Sequence, residues 1–181
     1  MKASLARRYL QEIVFGFEDS FVSTVGAVTG MAVGSGSREI VVLAGLVIVF
    51  VEATSMAAGS YLSDRALHDV EQAEGLLGRK REGGHRPVVA GGIMGLSYLI
   101  AGSVPLAPYL FLPISVAVPV SILFTLLMLF LVGAWQTVFT KRPWHKSGGE
   151  MLLVGGAAIV LGFVIGRVAS SLLGIDLYGV S

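Results

Sequence analysis

Two short stretches place acids where apolar residues surround them. The segment "VEATSMAAGSYLS", residues 51–63, carries Glu52 inside an apolar run, with Met56 four positions later. The segment "FGFEDSF", residues 15–21, carries Glu18 and Asp19 in a similar setting. A charged side chain at mid-membrane costs about 2.5–3.5 kcal/mol even on insertion-based scales, so such residues face a protein interior, a water-filled path or an ion. Glu52 and Met56 share a helix face, because four residues make about one turn. Ser55 holds a neighbouring position. Carboxylates with a thioether suit borderline cations such as Fe²⁺ and Mn²⁺ better than Mg²⁺. The same carboxylates can exchange a proton for a metal. Plainer roles compete: Met56 as core packing, and Glu18 as an acid reaching the cytoplasmic headgroups. Arg167, also within an apolar run, either snorkels to the interface or serves as a counter-ion for Glu52.

The elements that hold these residues follow from composition. The chain has 181 residues, of which 54% are hydrophobic and 14% charged, and its mean hydropathy is +0.79. That leaves too little polar surface for a soluble domain of this size. The expected fold is an all-α membrane protein, one transmembrane unit over residues 1–181. A spanning helix takes about 20 apolar residues, and five segments qualify: 13–33, 40–62, 88–112, 114–140 and 151–173. The cluster "SVPLAPYLFLP" divides the third from the fourth, and Pro105, Pro108 and Pro113 place the turn there. Pro119 falls in the first turns of the fourth helix. Residues 64–87 form a short cytoplasmic linker whose first half continues the second helix, ending at Gly83 and Gly84.

Basic residues set the orientation. Lys2, Arg7, Arg8, Arg65, Arg79, Lys80, Arg81, Arg86, Lys141, Arg142 and Lys146 all fall in three segments on one side, 11 of the 13 in the chain. By the positive-inside rule that side is cytoplasmic, so the N-terminus is inside and the C-terminus outside. The N-terminal segment lacks the pattern of a cleaved signal peptide. With this topology Asp19 lies about 9 Å into the first span and Met56 about 9 Å from the inner end of the second, at 1.5 Å per residue. Asp19 and Met56 therefore stand at one depth, with Glu52 one turn deeper.

Gly26, Gly30 and Gly34 recur at four-residue intervals in "GAVTGMAVG". Such a stripe makes either a dimer seam or close packing within one chain. In the linker, His68, Glu71 and Glu74 are spaced to share a helix face, as a weak metal-collecting surface or a solvated one. There are no cysteines, so disulfides and thiolate metal sites are excluded. A net charge of +1 gives no reason to expect nucleic acid. No cofactor motif or catalytic constellation occurs, and no enzyme activity is expected.

With these residues in view, the chain resembles the vacuolar iron transporter family, divalent-cation/proton antiporters of plants, fungi and prokaryotes. The resemblance rests on "FGFEDSFVSTVGAVTGMAVG" in the first helix, on "LVIVFVEATSMAAGSYLS" in the second, and on "VPLAPYLF" and "GGEMLLVGGAAIVLGFVIGR" further on. It implies a homodimer of five-helix protomers with the ion path near the first helices. The family's path aspartate falls on Asp19 and its path methionine on Met56. Three departures stand out. Ser20 follows Asp19 where the family usually has glycine. Ile48 occupies the position of the family's second-helix glutamate, while Glu52 lies one turn nearer Met56. The linker is far shorter than the family's glutamate-rich cytoplasmic domain. The reading is export of Fe²⁺ or Mn²⁺ from the cytoplasm in exchange for protons, in a prokaryotic cell membrane, with lipid, metal ion, protons and a second copy as partners and no cofactor. The alternatives are a carrier for another small cation and a non-transporting metal-sensing module.

Overall fold

The five apolar segments all form helices. The computed structural model describes residues 9–73 and 86–174. These residues comprise α1 (Leu10–Ser35), α2 (Arg38–Ala73), α3 (Pro87–Phe111), α4 (Ile114–Thr140) and α5 (Trp144–Leu173). Lys2, Arg7, Arg8, Glu74, Arg79, Lys80, Arg81, Gly83 and Gly84 lie outside the described residues, as does the Glu71 side chain.

The turn between α1 and α2 is two residues long. Gly36 takes the left-handed conformation at φ 64° and closes α1 with a bond from its N–H to the Ala32 carbonyl. Glycine reaches that conformation without a Cβ clash. Ser37 then caps α2, its hydroxyl accepting from the Ile40 amide at 3.3 Å. At 36 residues, α2 rises about 54 Å, well beyond a hydrocarbon layer of about 30 Å. The expected continuation of the second helix into the linker is present as far as Ala73.

The turn after the third span comes at Leu112 and Pro113, where the expected limits 88–112 and 114–140 put it, and Pro105 and Pro108 lie inside α3. A proline inside a helix leaves a carbonyl unpaired and crowds the preceding turn, and in an apolar bundle neighbouring helices make up the loss. Separately, the Ser121 hydroxyl of α4 donates to the Pro105 carbonyl at 2.6 Å and ties α4 to α3 at this level. A boundary that does differ is the start of α5, at Trp144, seven residues earlier than its apolar run. Its polar first turns are held by the Gln136–Ser147 hydrogen bond at 2.7 Å and by the Arg142–Glu150 ion pair at 2.7 Å. Gly133 and Gly148 also let α4 and α5 meet there, since a Cβ on Gly133 would lie 2.8 Å from the Gly148 Cα.

Within the bundle α1 packs against all four other helices. Its Ser20, Thr24 and Thr29 are buried, whereas Leu43, Phe50, Leu123, Val138, Leu153 and Leu172 point outward from α2, α4 and α5. Polar residues inside and aliphatic residues outside is the arrangement a hydrocarbon solvent selects. Four helices, α2 to α5, are long and apolar enough to cross a membrane. By composition α1 falls short of the five-span expectation, because Glu12, Glu18, Asp19 and several hydroxyl residues sit on its 26 residues. The bundle buries Glu12 and covers Glu18 and Asp19 in part, so α1 need not be apolar all round. An open groove of about 570 Å³ runs over α1 between α2 and α5.

Candidate functional site

Glycines in α3 control how closely α2 approaches. A Cβ on Gly91 would lie 2.5 Å from the Ala57 carbonyl, and one on Gly95 would lie 2.9 Å from the Ala57 Cβ. Ala53 and Ala57 therefore form the α2 edge that meets α3. Glu52 and Met56, each one residue earlier, lie beside that seam. The next element is α1, which also touches α3: a Cβ on Gly16 would lie 2.9 Å from Ser97 and 3.3 Å from the Met94 sulfur.

Where the three helices converge, Glu52 is hydrogen-bonded. The Ser23 hydroxyl on α1 donates to Glu52 Oε2 at 3.2 Å, and the Tyr98 hydroxyl on α3 donates to the same oxygen. The two hydroxyls also lie 2.6 Å apart, so the single Ser23 proton is shared between Glu52 Oε2 and the Tyr98 oxygen, while Tyr98 donates to Glu52. Glu52 thus faces the bundle interior, and its partners are hydroxyls. Arg167 is not the counter-ion: it is exposed on α5, with its guanidinium 5.7 Å from the Phe163 ring centre. The reason is rotational, for α5 turns its glycine edge toward α1 and its long side chains outward.

The Ser23–Glu52 contact also sets a register. With α1 and α2 joined by a tight turn, they run antiparallel. Asp19, four residues before Ser23, then lies level with Met56, four residues after Glu52. Asp19 adjoins Glu18 in the chain and stands one helical turn before Ser23, which holds Glu52. Glu18, Asp19, Glu52 and Met56 are all half-buried. Among the described residues, no three His, Cys, Asp or Glu side chains converge tightly enough to form a ready metal cage. The arrangement is a polar lane with carboxylates on α1 and α2 and a thioether beside them.

Other residues singled out by sequence lie elsewhere. Ser55 is exposed on the outer face of α2, with Phe50, Val51, Thr54 and Ala58, and does not join the lane. His68 is exposed on the α2 extension. Gly26, Gly30 and Gly34 run along α5: a Cβ on Gly30 would lie 2.8 Å from the Gly162 carbonyl, and one on Gly34 would lie 3.1 Å from that of Gly166. This stripe packs helix on helix within one chain. Sequence reasoning missed Ser23 and Tyr98. The available signals were a serine one turn after Asp19 and a tyrosine inside an apolar span, whose hydroxyl needs a partner.

Four long apolar helices with aliphatic exteriors, and a fifth carrying carboxylates among them, make this a multi-pass integral membrane protein. A profile of the VIT family matches residues 10–81 and 74–167, and the chain belongs to that family. Over 165 residues it is 26% identical to vacuolar iron transporter homolog 1 of Arabidopsis thaliana, covering 86% of this chain and 80% of that one. It is 29% identical over 96 residues to vacuolar iron transporter 1 of Eucalyptus grandis, covering 52% of this chain and 39% of that protein. An uncharacterised protein of Methanocaldococcus jannaschii is 26% identical over 165 residues, 84% of this chain and 86% of its own length. The Arabidopsis and Eucalyptus relatives are named as transporters, a non-enzymatic function.

Proposed function

We propose that this protein exports Fe²⁺ or Mn²⁺ from the cytoplasm in exchange for protons, as a homodimer in a prokaryotic cell membrane. Asp19 and Met56 bind the ion, and Glu52 completes the site or carries the proton. α1 crosses the membrane within the bundle, and the N-terminus is cytoplasmic. The observation that carries the reading is the Ser23–Glu52 contact, which brings Glu52 to α1 and aligns Asp19 with Met56. Like charges drawn together in a poorly solvated setting favour sharing a cation or a proton. The names of the relatives point to iron, and a carboxylate–thioether set accepts Mn²⁺ as well.

The test is Fe²⁺ and Mn²⁺ flux in proteoliposomes, with and without a pH gradient. The expected outcome is gradient-dependent flux that Asp19→Ala abolishes while the protein stays dimeric by light scattering. Glu52→Gln is expected to keep part of the flux and lose its dependence on the gradient. Unchanged flux in Asp19→Ala removes the assignment. Flux of an organic cation that outcompetes both metals makes the protein a different carrier, and metal binding without flux makes it a sensing module.

A further inference from the structure

The hydrogen bonds at Glu52 distinguish its two carboxylate oxygens. Ser23 and Tyr98 both donate to Oε2, and among the described residues no hydrogen bond reaches Oε1. Tyr98 is itself held. Its side chain is 0% exposed, and its backbone carbonyl accepts from the Ser20 hydroxyl at 2.7 Å. Gly102, one turn further along α3, makes room for that bond, since a Cβ there would lie 2.8 Å from Ser20 Oγ. A chain of contacts thus runs from α1 through Ser20 to α3, and from α3 through Tyr98 to Glu52 on α2. Glutamate has three side-chain torsions and samples several rotamers when untethered. Two hydroxyls on one oxygen select among them.

We infer that Ser23 and Tyr98 are positioning residues for Glu52: they tie down Oε2 and leave Oε1 as the oxygen that meets a transported divalent cation. This rests on the transport reading of the same site. A carboxylate oriented in advance spares the incoming ion the cost of ordering it. A purely mechanical clasp between α1, α2 and α3 would instead change stability and leave ion affinity unaltered.

The test measures Mn²⁺ binding to the purified protein, from the electron paramagnetic resonance of free Mn²⁺, together with Mn²⁺ flux as a function of concentration. Tyr98→Phe keeps the buried ring and removes only the hydroxyl; Ser23→Ala removes the second donor. Each is expected to weaken Mn²⁺ binding and raise KM about three- to ten-fold with Vmax within about twofold, and to add nothing in a Glu52→Ala background. Unchanged affinity in both single variants, or an equal loss without Glu52, overturns the inference. A second readout does not depend on transport. The infrared carboxyl band that Glu52→Gln removes is expected to shift in Tyr98→Phe and Ser23→Ala. If the wild type neither binds nor moves Mn²⁺, the transport reading fails. The band then decides the positioning by itself: a shift upholds the tethering of Oε2, and an unshifted band overturns it.

Discussion

Ser20 is fully buried, and its hydroxyl donates across helices to the Tyr98 carbonyl at 2.7 Å. This explains how the chain uses a serine where the family it resembles usually has glycine. The hydroxyl occupies the space that Gly102 leaves on α3 and adds a bond between α1 and α3. A net contribution of about 0.5–1.5 kcal/mol is usual for such a bond. Ser20→Ala is therefore expected to destabilise the purified protein by about 1 kcal/mol, read as a lower denaturant midpoint with an unchanged slope. An unaltered midpoint would show that the bond adds nothing. The same logic applies to Glu52. Sequence alone identified it as an acid in need of a partner, and two hydroxyls from different helices meet that need. Neither hydroxyl residue carries a charge, so neither stood out among the apolar residues around it.

Among the elements, the pairing of α1 with α5 depends on an absence of side chains. Gly26, Gly30 and Gly34 face Ala158, Gly162 and Gly166, with backbone against backbone. A methyl group added at Gly162 would run into the Gly26 carbonyl, which has no flexible side chain that can move aside. Gly162→Ala is expected to push the helices apart and cost about 1–3 kcal/mol. Gly156 lies on the same helix, and a Cβ there would have nothing within 4 Å. Gly156→Ala is expected to be neutral or to stabilise by up to about 1 kcal/mol, since alanine is the better helix former. Chemical denaturation of the two variants side by side checks both, and equal effects would show that the stripe is not what holds α1 to α5. The spacing of the three glycines was legible in the sequence, but which helix they face was not. A stripe of small residues presents the same surface to a second copy as to its own chain.

For the whole molecule, the charge pattern supports the proposed orientation and the bundle determines what shares each end. The Arg86 amide donates to the Tyr9 hydroxyl at 3.3 Å, so α1 and α3 begin at one end. The proposed orientation, argued from the positive-inside rule, puts that end in the cytoplasm. The chain has no cysteines, so single cysteines report position cleanly. Ser37→Cys, in the turn at the opposite end, is expected to react with a membrane-impermeant maleimide in intact cells, and Lys146→Cys only after the membrane is opened. The reverse pattern would invert the topology and, with it, the direction of export. The sequence by itself determined the class, because composition this apolar needs lipid around it. It determined the five helices, including the limits of α4 and the continuation of α2, because apolar runs of that length satisfy their backbone most simply as helices. The shared depth of Asp19 and Met56 also followed from the constant rise per residue. Only the tertiary structure decided the rest: that the glycine stripe meets α5, and that Glu52 turns to Ser23 and Tyr98 while Arg167 turns away. Each of these depends on how a helix is rotated about its axis against its neighbours. That rotation is set by packing between residues distant in sequence, and periodicity along one helix does not contain it.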